Sequence, residues 1–135
     1  MTDREQLEYA AKAAGFKWWQ SKHGYWNVKC PDGKEQSCCV GWAKFDQNTG
    51  EALPEPTPAD AIEECGWNPF MSDGTALRLA VKLGMRLELD KEWKRSHVQQ
   101  IPNGEWVTFP HVDNPYAATR RAIVRAAAEI GKGLI

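Results

Sequence analysis

A chain of 135 residues fits one domain and can bury about two thirds of the surface its unfolded form exposes, which makes a real core without disulfide or metal staples. With 42% apolar and 26% charged residues it falls outside the disordered class. Its net charge of −1, from 17 basic and 18 acidic residues, excludes a chain-wide electrostatic footprint for nucleic acid or membrane, although residues 69–135 carry 10 basic against 7 acidic groups and alone offer a basic face.

Thr2-Asp3-Arg4-Glu5 has the form of a capping box, so a helix begins here. Leu7, Ala10, Ala11 and Ala14 follow at helical spacing and Gly15 is a natural stop. This short, mildly apolar helix is expected to pack on a sheet. From Phe16 to Phe45 aromatic and β-branched residues alternate with turn signals at His23-Gly24, Pro31-Asp32-Gly33 and Asn48-Thr49-Gly50. That pattern predicts a three-stranded meander with strands near Lys17 to Ser21, Tyr25 to Cys30 and Gln36 to Phe45, the last bulged near Gly41.

Residues 47–65 hold five acids (Glu51, Glu55, Asp60, Glu63, Glu64), no base, and Pro54-Glu55-Pro56-Thr57-Pro58. They read as an acidic, proline-rich surface loop with a helical turn at Ala59 to Glu64, not as a domain boundary. Ser72 then caps a helix from Asp73 to Leu83, closed by Gly84. Ala76, Leu77, Leu79, Ala80, Val81 and Leu83 predict that it is mostly buried, with only Thr75, Arg78 and Lys82 marking an exposed edge.

Met85, Leu87 and Leu89 alternate with Arg86, Glu88 and Asp90 at the period of a half-buried strand. Strands near Lys94 to Ile101 and Glu105 to Phe109, joined through Pro102-Asn103-Gly104, complete a second meander. Asn114-Pro115 starts a helix running to about Ile130, with Tyr116, Ile123, Ala127 and Ile130 on one stripe, Arg121, Arg125 and Glu129 opposite, and Gly131 and Gly133 fraying its end. The expected architecture is a single α+β domain over residues 1–135, with two antiparallel meanders packed against about three helices.

At Trp67-Asn68-Pro69, Asp73-Gly74-Thr75-Ala76-Leu77-Arg78-Leu79-Ala80-Val81-Lys82-Leu83-Gly84 and Ala117-Ala118-Thr119-Arg120-Arg121-Ala122-Ile123-Val124-Arg125-Ala126-Ala127-Ala128-Glu129-Ile130-Gly131, the sequence resembles a family of small proteins of tailed bacteriophages and prophages. The resemblance covers the second half and the helix from Leu7 to Gly15. It implies a phage accessory protein made in the cytoplasm of a bacterial host, and it carries over no catalytic residue.

The polar segment Met1-Thr2-Asp3-Arg4-Glu5 does not read as a secretory leader, and no apolar run approaches the roughly 18 residues of a membrane span. Reduced thiols and no membrane contact are therefore expected. Zinc chemistry would draw on Cys30, Cys38, Cys39 and Cys65 or on His23, His97 and His111, but Cys30 and Cys38 are too far apart for a paired ligand motif, and adjacent Cys38 and Cys39 point to opposite faces of a strand. Buried thiols acting as small hydrophobes are the expectation, with no metal and no cofactor. Cys30 beside Lys29, with His23 across a hairpin, is the one thiol with a nearby base, and no elbow motif flanks it. Asp32, Glu35, Glu63, Glu64, Glu88 and Asp90 read as solvated carboxylates, and phosphate loops are absent.

Two binding readings remain. Seven tryptophans, as many as phenylalanine and tyrosine together, exceed what a small core buries completely. The leading expectation is thus a non-enzymatic module that binds a host or phage protein through Trp18, Trp19, Trp26 and Trp42, helped by the acidic loop. The alternative is nucleic-acid binding through Arg120, Arg121 and Arg125 of the last helix with Lys91, Lys94 and Arg95, using Trp93 and Trp106 as stacking platforms. Neighbouring acids (Asp90, Glu92, Glu129) and a pI near 6.3 favour an ordinary solvated face there.

Overall fold

The computed structural model describes residues 1–20, 22, 26–31, 35–37, 49–50, 57–99, 104–112 and 114–134. Among these the elements run α1 (Asp3–Ala14), β1 (Lys17–Gln20), β2 (Trp26–Lys29), β3 (Glu35–Ser37), α2 (Pro58–Glu64), α3 (Asp73–Leu83), β4 (Arg86–Asp90), β5 (Arg95–Gln99), β6 (Trp106–Pro110) and α4 (Pro115–Lys132). The α+β class with two antiparallel three-stranded meanders, ordered β1-β2-β3 and β4-β5-β6, is the one expected. The expected turn at Ala59 to Glu64 is a seven-residue helix. The expected bulge near Gly41, the strand beyond Ser37, the tips at His23-Gly24 and Asp32-Gly33, and Pro102-Asn103 lie outside the described residues. The chain packs as two compact units, residues 1–14 with 68–135 and residues 15–67.

In the larger unit, α1 begins where the Thr2 hydroxyl accepts the Glu5 N–H (3.2 Å), as the capping box requires. Its buried residues Leu7, Ala10, Ala11 and Ala14 pack on helix α4, with a smaller contact to α3, and not on a sheet as expected. The reason is side-chain size. The buried face of α4 consists of Ala122, Ala126, Ala127, Ala128 and Gly131 with Ile123 and Val124, so two alanine-lined helices approach closely. Gly131, expected to fray the helix end, is buried within it, and a methyl there would overlap the Tyr9 carbonyl.

Helix α3 is capped by Ser72, whose hydroxyl accepts the Thr75 N–H (3.2 Å), and it ends at left-handed Gly84 (φ 65) as the sequence indicates. Its burial is narrower than expected. Ala76, Leu79, Ala80 and Thr75 are buried, while Leu77 and Val81 are exposed, because among the described residues α3 packs mainly on α4, with a smaller contact to α1, and needs a single stripe for that. Arg120 ties the two helices together, its Nε donating to the Phe70 carbonyl (2.7 Å) and its Nη1 to Asp73 (2.6 Å).

The register of β4-β5-β6 places Leu87, Leu89, Ser96, Val98, Val107 and Phe109 on one face, toward α4, and Arg86, Glu88, Asp90, Arg95, His97, Gln99, Trp106 and Thr108 on the other. Ser96 and Val98 of the central strand are fully buried. Asn114 starts α4 by accepting the Tyr116 and Ala117 N–H groups (2.9 and 3.3 Å). Tyr116 is not on the buried stripe, as its spacing had suggested. It stands in the first turn, 67% exposed.

In the smaller unit, α2 packs on β2. The Asp60 carboxylate accepts the Thr57 N–H (2.8 Å) and hydroxyl (3.1 Å) to fix its start. Phe16, Val28, Ala59, Ala61 and Ile62 are buried, and the Phe16 and Trp67 rings meet at 4.9 Å.

If the α1–α4 contact depends on the missing side chain at Gly131, Gly131→Ala will lower stability by about 1–3 kcal/mol, read as a lower urea midpoint at unchanged slope. Gly133→Ala, with room for a methyl and a helical φ of −77, will leave the midpoint unchanged or slightly raised. Equal midpoints for the two variants would refute this account.

Candidate functional site

The strand register separates the tryptophans that the sequence groups together. Trp18 pairs with Val28 and Gln20 with Trp26, so Trp18 and Trp26 share the face of buried Val28 and are themselves half-buried. Trp19 pairs with Asn27 on the opposite face, beside Lys17 and Lys29, and is 44% exposed. Trp42 lies outside the described residues. Of the three described, Trp18 and Trp26 therefore belong to the face that packs inward and Trp19 looks out.

The basic residues of the alternative reading are largely occupied. Arg120 is committed to Phe70 and Asp73. Arg121 pairs with Asp3 (2.9 Å) and lies over the Phe70 ring, 5.3 Å from its centroid. Arg125 pairs with Glu129 (3.2 Å), the expected i, i+4 partner. That pair lies in a groove of about 580 Å³ along β6, lined also by Glu105 and Trp106. Arg95 sits on the outer face of the sheet opposite Asp90, and Lys94 ends the β4–β5 turn with a positive φ of 51.

That turn belongs to an exposed apolar surface of the larger unit. The Asp90 carboxylate accepts the Trp93 N–H (2.9 Å), and the Lys94 carbonyl accepts the His111 N–H (2.7 Å), which fastens the turn to the segment leading into α4. Leu89, Trp93, Val112 and Tyr116, all on these connected segments, are 64%, 69%, 79% and 67% exposed. Of these four, Leu89 and Tyr116 border a groove of about 570 Å³ lined also by Lys91, Lys94, His111, Pro115 and Thr119. This volume is in the range of natural ligand sites.

One wall of the groove is held by a buried polar chain. Ser96 Oγ lies 2.6 Å from His111 Nε2 and 2.7 Å from Thr119 Oγ1, and Thr119 donates to the Pro115 carbonyl (2.8 Å). A carbonyl only accepts, so the Thr119 proton is spent on Pro115. Ser96 then donates to Thr119, and His111 Nε2 carries a proton and donates to Ser96. A serine nucleophile needs the opposite polarity, with imidazole accepting the hydroxyl proton. The fully buried Ser96 thus serves to orient His111 and to clamp β5 to the start of α4. Sequence reading passed over Ser96 and Thr119. The available signal was a hydroxyl at the inward position next to Val98 in a period-two strand.

His23, the base expected across the hairpin from Cys30, lies outside the described residues; the Cys30 thiol neighbours that of Cys65, where α2 ends against β2. Burial first, then the charge and thiol of Cys30, then Glu64, push the Cys65 thiol from 9.0 up to about 11. His97 is bound to Thr108 (2.9 Å) and lies edge-on to Trp106. Among the described residues no three His, Cys, Asp or Glu side chains converge as metal ligands, and no helix is long and apolar enough to cross a membrane.

No protein-family model matches the chain, and no curated protein or solved structure was found to be similar to it.

Removing the Ser96 hydroxyl strands the His111 Nε2 proton donor and a Thr119 acceptor. Ser96→Ala is expected to cost about 1–3 kcal/mol in chemical denaturation and to free the His111 ring, seen as a sharpened, averaged imidazole signal by NMR. A fixed ring at unchanged stability would contradict the relay. For Cys65, the folded thiol keeps its proton up to about pH 11 whereas the unfolded one releases it near 9.0. Its contribution to stability is full below pH 9 and is lost as pH rises through the window from 9 to 11. Stability measured across that window will fall more steeply for the native chain than for Cys65→Ser; parallel curves would exclude the assigned environment.

Proposed function

We propose that this chain is a phage accessory protein of the bacterial cytoplasm that works without catalysis, by binding a host or phage protein. The observation that carries this reading is the exposure of Leu89, Trp93, Val112 and Tyr116 as apolar side chains on connected segments, two of which, Leu89 and Tyr116, line one groove. Large exposed aromatics cost free energy in water and are the side chains that dominate protein interfaces once desolvated. We place the anchors of the larger unit at the β4–β5 turn and the α4 start; of the four tryptophans first expected to bind, Trp19 remains exposed on the smaller unit, Trp18 and Trp26 are half-buried, and Trp42 lies outside the described residues. Resemblance of the last helix and of residues 73–84 to phage proteins supports the cellular setting.

Nucleic-acid binding is not favoured by the same geometry. A phosphate seeking Arg120, Arg121 or Arg125 must displace Asp73, Asp3 or Glu129, which forfeits part of the electrostatic gain.

Immobilised protein incubated with lysate of infected host cells is expected to retain a specific partner. The double variant Trp93→Ala/Tyr116→Ala should lose at least about tenfold of that retention, as removal of two interface anchors commonly does, and Trp19→Ala should lose much less. Equal recovery with all three proteins would overturn the assignment of the surface.

A further inference from the structure

We propose that the groove between the β4–β5 turn and α4 seats an acidic stretch of the partner protein, in which a carboxylate adjoins a large apolar side chain. The inference rests on the protein-binding reading above and specifies the chemistry of what is bound. The lining divides into two halves. Leu89, Pro115 and Tyr116 supply its apolar lining, and Lys91 and Lys94 its basic one. Among the described residues no acidic side chain lines the groove, and the first turn of α4 carries none. Neither lysine has an ion-pair partner among the described residues, in contrast to Arg120, Arg121 and Arg125. Asp90 and Glu92 share the turn but do not line the groove, so the charges among its described lining residues are the two lysines, which favour a single negative group beside an apolar one.

His111 adds a directional element. Its Nε2 is spent on Ser96, so the ring is held in one orientation as part of the groove wall. An occupant meets a preformed surface, which limits the ordering cost of binding. A phosphate backbone fits less well. Only two free cations border the groove, and Asp90 and Glu92 interrupt the basic residues of the turn, whereas nucleic-acid tracks need a longer uninterrupted basic stripe. A protein segment needs one carboxylate and one anchor and matches this short, two-part surface.

The test uses the full chain, isotopically labelled, titrated with acetyl-Glu-Glu-Leu-Phe-Glu-amide and followed by NMR. Saturable shifts are expected at the Lys91, Lys94, Tyr116 and Thr119 amides, with affinity about five- to tenfold above that of the isosteric acetyl-Gln-Gln-Leu-Phe-Gln-amide, the increment two exposed ion pairs supply. Lys91→Glu/Lys94→Glu should abolish the preference between the two peptides while leaving the remaining spectrum folded. Equal affinity for both peptides, shifts elsewhere, or no binding of either would overturn the proposal. Tighter binding of phenylacetate alone would assign the groove to a free small carboxylate instead, and tighter binding of a thymidine oligonucleotide would assign it to nucleic acid. Partner retention that is lost in Trp93→Ala/Tyr116→Ala but unchanged in Lys91→Glu/Lys94→Glu would sink the carboxylate preference and leave the protein-binding reading standing.

Discussion

The closest constraint in the larger unit is the absence of a side chain where α4 passes Tyr9. Helices lined with alanine and glycine gain little hydrophobic energy per residue and depend on close approach for dispersion contacts. Gly131 and the run Ala126 to Ala128 permit that approach. Because α1, α3 and the β4-β5-β6 sheet all pack on α4, the position of that helix sets the position of its first turn. The groove is therefore placed by a contact made at the far end of the same 18-residue helix.

At the near end, placement is refined by hydrogen bonds. Ser96 is fully buried and would be a liability alone; with His111 and Thr119 it becomes a satisfied link between a central strand and the helix start. The proton count along that link makes His111 a donor toward the interior. Ser96 beside His111 is here a clamp, and the open side of the same wall is lined by Lys91, Lys94 and Tyr116.

Much of the scaffold was legible in the amino-acid pattern because local signals agreed with tertiary needs. Ser72, Gly84, Asn114 and Pro115 mark helix ends by their own backbone and side-chain chemistry, and the alternation from Met85 to Asp90 encodes a strand without reference to distant residues. Burial was less legible. Leu77 and Val81 look like core residues, yet a helix that packs mainly on one other helix hides one stripe and leaves the rest to solvent. Tryptophan count pointed toward exposed indoles, but which ones depends on cross-strand register, and the pairing of Trp18 with Val28 is a non-local fact. Arginines on a helix face suggested a phosphate-binding surface until Asp3 and Asp73, distant in the chain, were found beside them.

Alternation in the second sheet has an evolutionary consequence. Architecture is written on one face of β4-β5-β6, while the turn that displays Trp93 lies beyond the last paired rung, Asp90 with Arg95. Substitution of the exposed Trp93 side chain leaves the pairing of the strands untouched, whereas a change of length would break the hydrogen bonds of Asp90 and Lys94 that hold the turn. Over generations the tip is thus freer to vary in chemistry than in size.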